Sequence, residues 1–121
     1  MIYTRKKKRP PESGLTRLAI DFDGVLMKKS RAKSFAICNG AAMPGALDAL
    51  KKLSTRWELV VFSARARTPQ GVQAIWDWLA LHGVAEFIKL VTPEKLNAVA
   101  YIDDRARRFE SWKKVLMEFE K

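Results

Sequence analysis

Two aspartates separated by one residue, Asp21 and Asp23, have types and spacing that suggest chemistry. They end an apolar run that begins at Leu18, which is typical of a strand buried on both faces, and Gly24 then allows a sharp turn. Side chains two apart on a strand point the same way, so two carboxylates here repel each other unless a cation or a shared proton intervenes. A divalent cation bound through oxygen is the simplest relief. The alternative is that Asp and Gly serve only as turn formers.

Residues 21–26, with the sequence DFDGVL, resemble the first motif of the haloacid dehalogenase (HAD) superfamily of phosphotransferases, Asp-x-Asp-Gly-Val-Leu. The other three motifs of that superfamily are a Ser or Thr after a strand, a lysine, and a pair of acids. They are matched in the same order by Ser63, Lys95, Asp103 and Asp104. The resemblance covers residues 16–121. One departure is Leu96, because relatives often have proline directly after the lysine.

The resemblance implies a Mg²⁺-dependent phosphomonoester hydrolase that acts through an aspartyl phosphate. In this scheme Asp21 is the nucleophile and Asp23 is the general acid and base, and the catalytic set is completed by Ser63 and Lys95. The implied substrate-binding residues are Gly24, Ser63, Ala64, Arg65 and Lys95. The implied metal ligands are Asp21, Asp23 through its backbone carbonyl, Asp103 and Asp104. Lys89 is a competing candidate for the lysine, but it falls inside a predicted strand.

Four apolar runs predict buried strands, and three stretches with helical spacing alternate with them. This pattern predicts an α/β fold with a mainly parallel central sheet, whose ligand site lies beyond the carboxyl ends of the strands. The resemblance implies a three-layer Rossmann-like (HAD-like) fold without a cap domain. The predicted strands after the first are residues 58–62, 86–91 and 98–102, and the predicted helices begin near residues 46, 69 and 111.

The N-terminal segment differs from the rest of the chain. Residues 1–17 carry six basic residues and one acidic residue, out of a net charge of +10 for the whole chain. A Pro-Pro-Glu-Ser-Gly stretch at residues 10–14 interrupts regular structure. We therefore predict a basic flexible tail over residues 1–14 and one catalytic domain over residues 15–121. The tail either contacts a polyanion or only keeps the protein in solution.

Basic residues also cluster in loops expected on the active-site side. Such a rim attracts polyanions, which favours a large phosphorylated substrate such as the end of a polynucleotide. The alternative is that the rim only improves capture of small phosphate esters. The residues in question are Lys28, Lys29, Arg31, Lys33, Arg65, Arg67, Arg105, Arg107 and Arg108.

The composition excludes several other classes of protein, namely those with disulfides, with structural zinc sites or with membrane spans. The single cysteine, Cys38, excludes an intrachain disulfide and favours a cytoplasmic location. One cysteine and one histidine, His82, cannot form a structural zinc tetrahedron. No apolar run approaches the roughly 20 residues that span a membrane, so we predict no membrane partner. The sequence does not determine the oligomeric state, for which a monomer is favoured.

Two other interpretations use the same residues. A receiver domain also combines acids, a Ser or Thr and a lysine, but its acidic pair lies on the first strand and its lysine on the last. In this chain the acidic pair follows the lysine on the fourth predicted strand. The second interpretation is a non-catalytic, Mg²⁺-dependent module that binds nucleic acid or a phosphorylated ligand.

Overall fold

A computed structural model describes residues 2–4, 16–29, 34, 36–94, 98, 100–102 and 109–119. Within these residues five strands and three α-helices are seen, with short 3₁₀ turns at Ala64–Arg67 and Ala85–Phe87. The strands are β1 (Ile2–Thr4), β2 (Arg17–Asp21), β3 (Glu58–Phe62), β4 (Ile88–Thr92) and β5 (Ala100–Ile102). The helices are α1 (Ala46–Leu53), α2 (Pro69–Leu81) and α3 (Trp112–Phe119).

The strands form one sheet in the order β1-β5-β2-β3-β4. Strands β5, β2, β3 and β4 run parallel to one another, and β1 pairs antiparallel with β5 at the edge of the sheet. Strand β2 is therefore central, with Ile20 paired to Ile102 of β5 and Asp21 paired to Phe62 of β3. The α/β class and the mainly parallel sheet are confirmed.

The core follows the alternation of side chains along the strands. Leu18 and Ile20 belong to one apolar cluster, to which all three helices contribute, whereas Ala19 belongs to a second cluster on the other face of the sheet. The second cluster also contains Phe62 and Tyr101, whose rings meet edge to face at 5.7 Å. Among the described residues no helix covers this second face, so the predicted third layer stays a prediction.

Helix α2 has the bounds that its end signals predict. The Thr68 hydroxyl accepts a hydrogen bond from the amide of Gly71 (3.1 Å), and Pro69 occupies the first helical position. At the other end His82 stacks on Trp78 and its Nδ1 lies 2.8 Å from the Trp78 carbonyl, so His82 has a structural role. Gly83 follows with a φ of 74°, which suits a residue that ends a helix.

Strands β1 and β4 differ from the prediction. Ile2–Thr4, which the sequence places in the basic tail, form β1. Strand β4 begins at Ile88, because Ala85–Phe87 form a 3₁₀ turn, and it extends one residue further, to Thr92. On α2, Trp78 is 2% exposed, and the half-buried Trp76 packs against the same apolar cluster. A separate question is whether the chain contains a membrane span. No helix in the described part of the chain is long and apolar enough to cross a membrane.

Candidate active site

The carboxyl ends of β2 and β3 bring together two of the predicted catalytic residues. Asp21 is the last residue of β2 and pairs with Phe62, so Ser63 follows directly on the neighbouring strand. Asp21 Oδ1 accepts a hydrogen bond from the amide of Phe22 (2.8 Å), which orients the carboxylate. The Ser63 amide donates to the Thr92 carbonyl (3.0 Å), and this bond ties the same edge to β4.

A tight turn follows Asp21 and shapes the backbone around Asp23. The Phe22 carbonyl accepts from the amides of Leu26 (2.9 Å) and Met27 (3.1 Å), and the Gly24 amide donates to the Met27 carbonyl (2.8 Å). Gly24 has a φ of 80°, which a residue with a Cβ rarely adopts. These bonds use the neighbours of Asp23, so its own carbonyl receives no hydrogen bond from the described residues.

Arg65 binds the carboxylate of Asp23 through two parallel hydrogen bonds. Its Nε lies 2.8 Å from Oδ2 and its Nη2 lies 2.8 Å from Oδ1. Arg65 is 5% exposed, whereas the Asp23 side chain is 31% exposed, so the ion pair is shielded from water on the arginine side and partly open on the aspartate side. The hydrogen bond to Asp23 raises the pKa of Arg65, which stays charged.

Arg65 also contacts the segment that returns after the first motif, of which the structure describes residues 34 and 36–42; we call these residues the return arm. Its Nη1 donates to the carbonyl of Ile37 (3.0 Å) and lies 3.4 Å from that of Ser34. Burial raises the pKa of Cys38 in the same arm, against the opposing effect of the Arg65 charge. One guanidinium thus connects Asp23 to the return arm.

The base of the return arm is fixed by backbone contacts. The Lys28 amide donates to the Ala41 carbonyl (2.7 Å), and Met27 and Ala42 form an antiparallel bridge. A Cβ on Gly40 would lie 2.2 Å from the Lys28 carbonyl oxygen, so only glycine fits there. Trp78 Nε1 donates to the Gly40 carbonyl (2.8 Å), which joins the arm to α2.

The loop from Ser63 to Arg67 is held at both ends. The Ser63 hydroxyl accepts from the Arg65 amide (3.2 Å), and Ser63 is 4% exposed. A Cβ on Gly71 would lie 1.7 Å from the Arg65 carbonyl oxygen, so the backbone of α2 is in direct contact with this loop. The predicted substrate-binding residues Ser63, Ala64 and Arg65 therefore lie on a rigid turn.

The remaining predicted site residues are Lys95, Asp103 and Asp104, and they lie outside the described residues. Arg31, Lys33, Arg105, Arg107 and Arg108 of the predicted rim lie outside them too, whereas Lys28, Lys29 and Arg67 are exposed. The competing lysine, Lys89, is exposed on β4 and lines a cavity of about 270 Å³ with Trp57 and Glu58 at the amino ends of the strands. This position is remote from the carboxyl edge.

The described residues fit a Mg²⁺ ion in part. No group of three or more metal-ligating side chains occurs among them, but two of the four predicted ligands, Asp103 and Asp104, are not included. The Asp23 carboxylate is bound by Arg65, while its carbonyl accepts no hydrogen bond from the part of the chain that the structure describes, which is compatible with the predicted role of that carbonyl. The donors at this edge are oxygens, which Mg²⁺ prefers.

The Arg65–Asp23 ion pair was not predicted from the sequence. The two residues are 42 positions apart, and an arginine two residues after a serine carries no signal for such a contact. No family model matches the chain, and no curated protein matches it. Its function is therefore argued from its own residues.

Proposed function

We propose that this protein is a Mg²⁺-dependent phosphomonoester hydrolase of the HAD type, with a capless Rossmann-like domain, and that it acts in the cytoplasm. The observation that carries the proposal is the carboxyl edge of β2 and β3, where Asp21, Asp23 and Ser63 follow two adjacent parallel strands. In sheets of this kind, ligands bind beyond the carboxyl ends of the strands. Two acids and a buried serine at this edge suit transfer of a phosphoryl group.

In the proposed reaction Asp21 attacks phosphorus, so that an Asp21–phosphorus bond forms as the bond to the leaving oxygen breaks. In its protonated form Asp23 gives a proton to the leaving oxygen, and Arg65 binds the carboxylate that remains. This carboxylate then takes a proton from the water that attacks phosphorus, and the bond to Asp21 breaks. Ser63 and Lys95 donate hydrogen bonds to the phosphoryl oxygens, where negative charge accumulates. The turn that orients Asp21 and the ion pair that fixes Asp23 support these roles.

Mg²⁺ would be held by the Asp21 carboxylate, the Asp23 carbonyl, and Asp103 and Asp104. When bound, it would reduce the repulsion between the attacking carboxylate and the phosphate. Asp103 directly follows Ile102 in the sequence, and Ile102 pairs with Ile20, next to Asp21. This register supports a shared site for the two acidic pairs.

Removal of the metal should abolish turnover. We expect phosphate release from 4-nitrophenyl phosphate in Mg²⁺ and a loss of at least about 100-fold with excess chelator, restored by added Mg²⁺, because the dianionic substrate then meets an unscreened carboxylate. Equal rates in Mg²⁺ and in chelator would contradict the metal assignment.

No turnover with any phosphate ester in Mg²⁺ would favour the alternative, a non-catalytic module. That alternative predicts Mg²⁺-dependent binding of a phosphorylated oligonucleotide without release of phosphate. Titration of the protein with the oligonucleotide, in Mg²⁺ and in chelator, measures this binding directly.

The exposed basic residues favour a large anionic substrate, such as a polynucleotide end. Lys28 and Lys29 are exposed where the chain leaves the turn after Asp23, and Arg67 is exposed where the Ser63 loop ends. Such charges attract a polyanion and release its counterions on binding.

We expect kcat/KM for a 5′- or 3′-phosphorylated oligonucleotide to fall more steeply with salt than kcat/KM for 4-nitrophenyl phosphate. For a single strand, each phosphate contact adds about 0.7 to the slope of the logarithmic plot. Replacing both Lys28 and Lys29 with glutamine should reduce the slope for the oligonucleotide. The matched control is Lys51→Gln, an exposed lysine in the last turn of α1. Equal slopes for the two substrates would contradict the polyanion assignment.

A further inference from the structure

We propose that Arg65 is a positioning residue that fixes the carboxylate of Asp23 and anchors the return arm beside it. This inference rests on the proposed function, since Asp23 is the group that transfers the proton. It assigns Arg65 a role other than the substrate contact predicted from the sequence.

The geometry of the ion pair supports positioning. Two N–H groups of Arg65 bind the two oxygens of Asp23 at 2.8 Å each, which sets both the direction and the rotation of the carboxylate. A carboxylate held by one bond could still rotate about it. Proton transfer needs the donor within hydrogen-bond reach of the leaving oxygen, so a fixed carboxylate favours the reaction.

The third nitrogen of the same guanidinium binds the return arm. Nη1 donates to the Ile37 carbonyl at 3.0 Å, and Ile37 is itself held by a bond from its amide to the Ser34 carbonyl (3.2 Å). Lysine has no planar fork and cannot reproduce this arrangement, although it keeps the charge. The connection between Asp23 and the arm is therefore specific to arginine.

Burial argues against a direct substrate contact. Arg65 is 5% exposed, and its guanidinium already binds Asp23 and the carbonyls of the arm. A substrate phosphate would have to displace Asp23 to bind the same fork. The backbone of Arg65 is held as well, by the Ser63 hydroxyl and by contact with Gly71.

The test is a series of phosphate esters with leaving groups of increasing pKa, from an activated aryl phosphate to an alkyl phosphate. Good leaving groups need little protonation, so loss of Asp23 positioning should matter least for them. For Arg65→Lys and Arg65→Gln we expect kcat/KM, which reports the step that expels the leaving group, to fall on the order of 10- to 100-fold with the alkyl ester and less than about threefold with the activated ester. Asp23→Asn should show the same trend with larger losses.

Two comparisons make the result specific. The double variant Arg65→Gln/Asp23→Asn should be no slower than Asp23→Asn alone, because the arginine acts through the aspartate. Arg56→Gln, at an exposed arginine before β3, is the matched control and should leave kcat and KM unchanged. An increase in KM of equal size for all esters, with kcat unchanged, would overturn the proposal and restore the substrate contact.

Hydrogen exchange does not depend on catalysis, so it tests the role of Arg65 separately from the phosphatase assignment. Hydrogen exchange in the return arm, at the amide of Ile37 above all, should accelerate in Arg65→Gln and less in Arg65→Lys, while exchange in β3 stays unchanged. If no ester is hydrolysed but exchange accelerates as expected, the anchoring stands and the phosphatase assignment fails. If turnover occurs but exchange and leaving-group dependence are both unchanged, the role of Arg65 is wrong and the phosphatase assignment stands.

Discussion

Replacing Asp21 with asparagine is expected to lower kcat for an aryl phosphate on the order of 10⁴-fold or more, as loss of a nucleophile does in other enzymes with covalent intermediates. An amide is a poor nucleophile and carries no charge for the metal. The substitution hardly changes volume, and the bond from the Phe22 amide to Oδ1 can be kept by the amide oxygen. Phosphate release in Mg²⁺ measures the loss, and KM should change much less than kcat.

The control for Asp21→Asn is Asp77→Asn, at an exposed aspartate of α2 that accepts a hydrogen bond from Gln73 (2.8 Å). It makes the same chemical change away from the strand edge and should leave kcat unchanged. The melting temperature of both variants should stay close to that of the wild type. An Asp21→Asn variant with more than roughly a tenth of the wild-type kcat would show that Asp21 is not the nucleophile.

Replacing Trp112 with alanine should have the largest effect on stability, about 3–5 kcal/mol in the free energy of unfolding. Trp112 is 1% exposed, and its Nε1 donates to the Val25 carbonyl (2.9 Å) in the turn after Asp23. Its ring meets Phe109 at 5.5 Å, and its Cβ would lie 3.4 Å from a Cβ added at Gly45, so α3 packs closely on the start of α1. The variant therefore leaves a cavity and an unpaired carbonyl beneath the turn. Unfolding in urea, followed by circular dichroism, measures the change.

Trp112→Phe separates packing from hydrogen bonding, because it keeps a ring but removes the N–H. We expect it to cost about 1–3 kcal/mol, for the buried carbonyl left unpaired and the smaller ring. The surface control is Leu81→Ala, at a leucine that is 82% exposed, with an expected change within about 0.5 kcal/mol. A Trp112→Ala variant that unfolds at the wild-type urea concentration would contradict the role of α3 in supporting the turn.

Local signals in the sequence predicted much of the fold. Thr68, Pro69 and Gly83 marked the ends of α2, and the continuous apolar run at residues 59–62 marked β3, because caps and buried runs depend on neighbouring residues. Strand β1 has no such signal. Three residues followed by a basic stretch show no periodicity, and their structure depends on an edge of β5 about a hundred positions away.

Only part of the site could be predicted, because here too some contacts depend on residues that are distant in sequence. Asp21, Asp23 and Ser63 could be placed at one sheet edge, because parallel strands end together. The burial of Arg65 could not be inferred, since it depends on Asp23 and on Ile37, both distant in sequence.

The edge strand β1 has a consequence for the order of folding. The pairing of Ile2 with Ile102 closes a loop of the chain that contains β2, β3 and β4. Only three residue pairs of β1 and β5 contribute to that closure. Contacts between such distant residues lose much chain entropy on forming, so we expect this pairing to form late and to open without unfolding of β2–β4. Strand β5, which leads in sequence to Asp103, would then keep its pairing to β2 while its outer edge opens and closes.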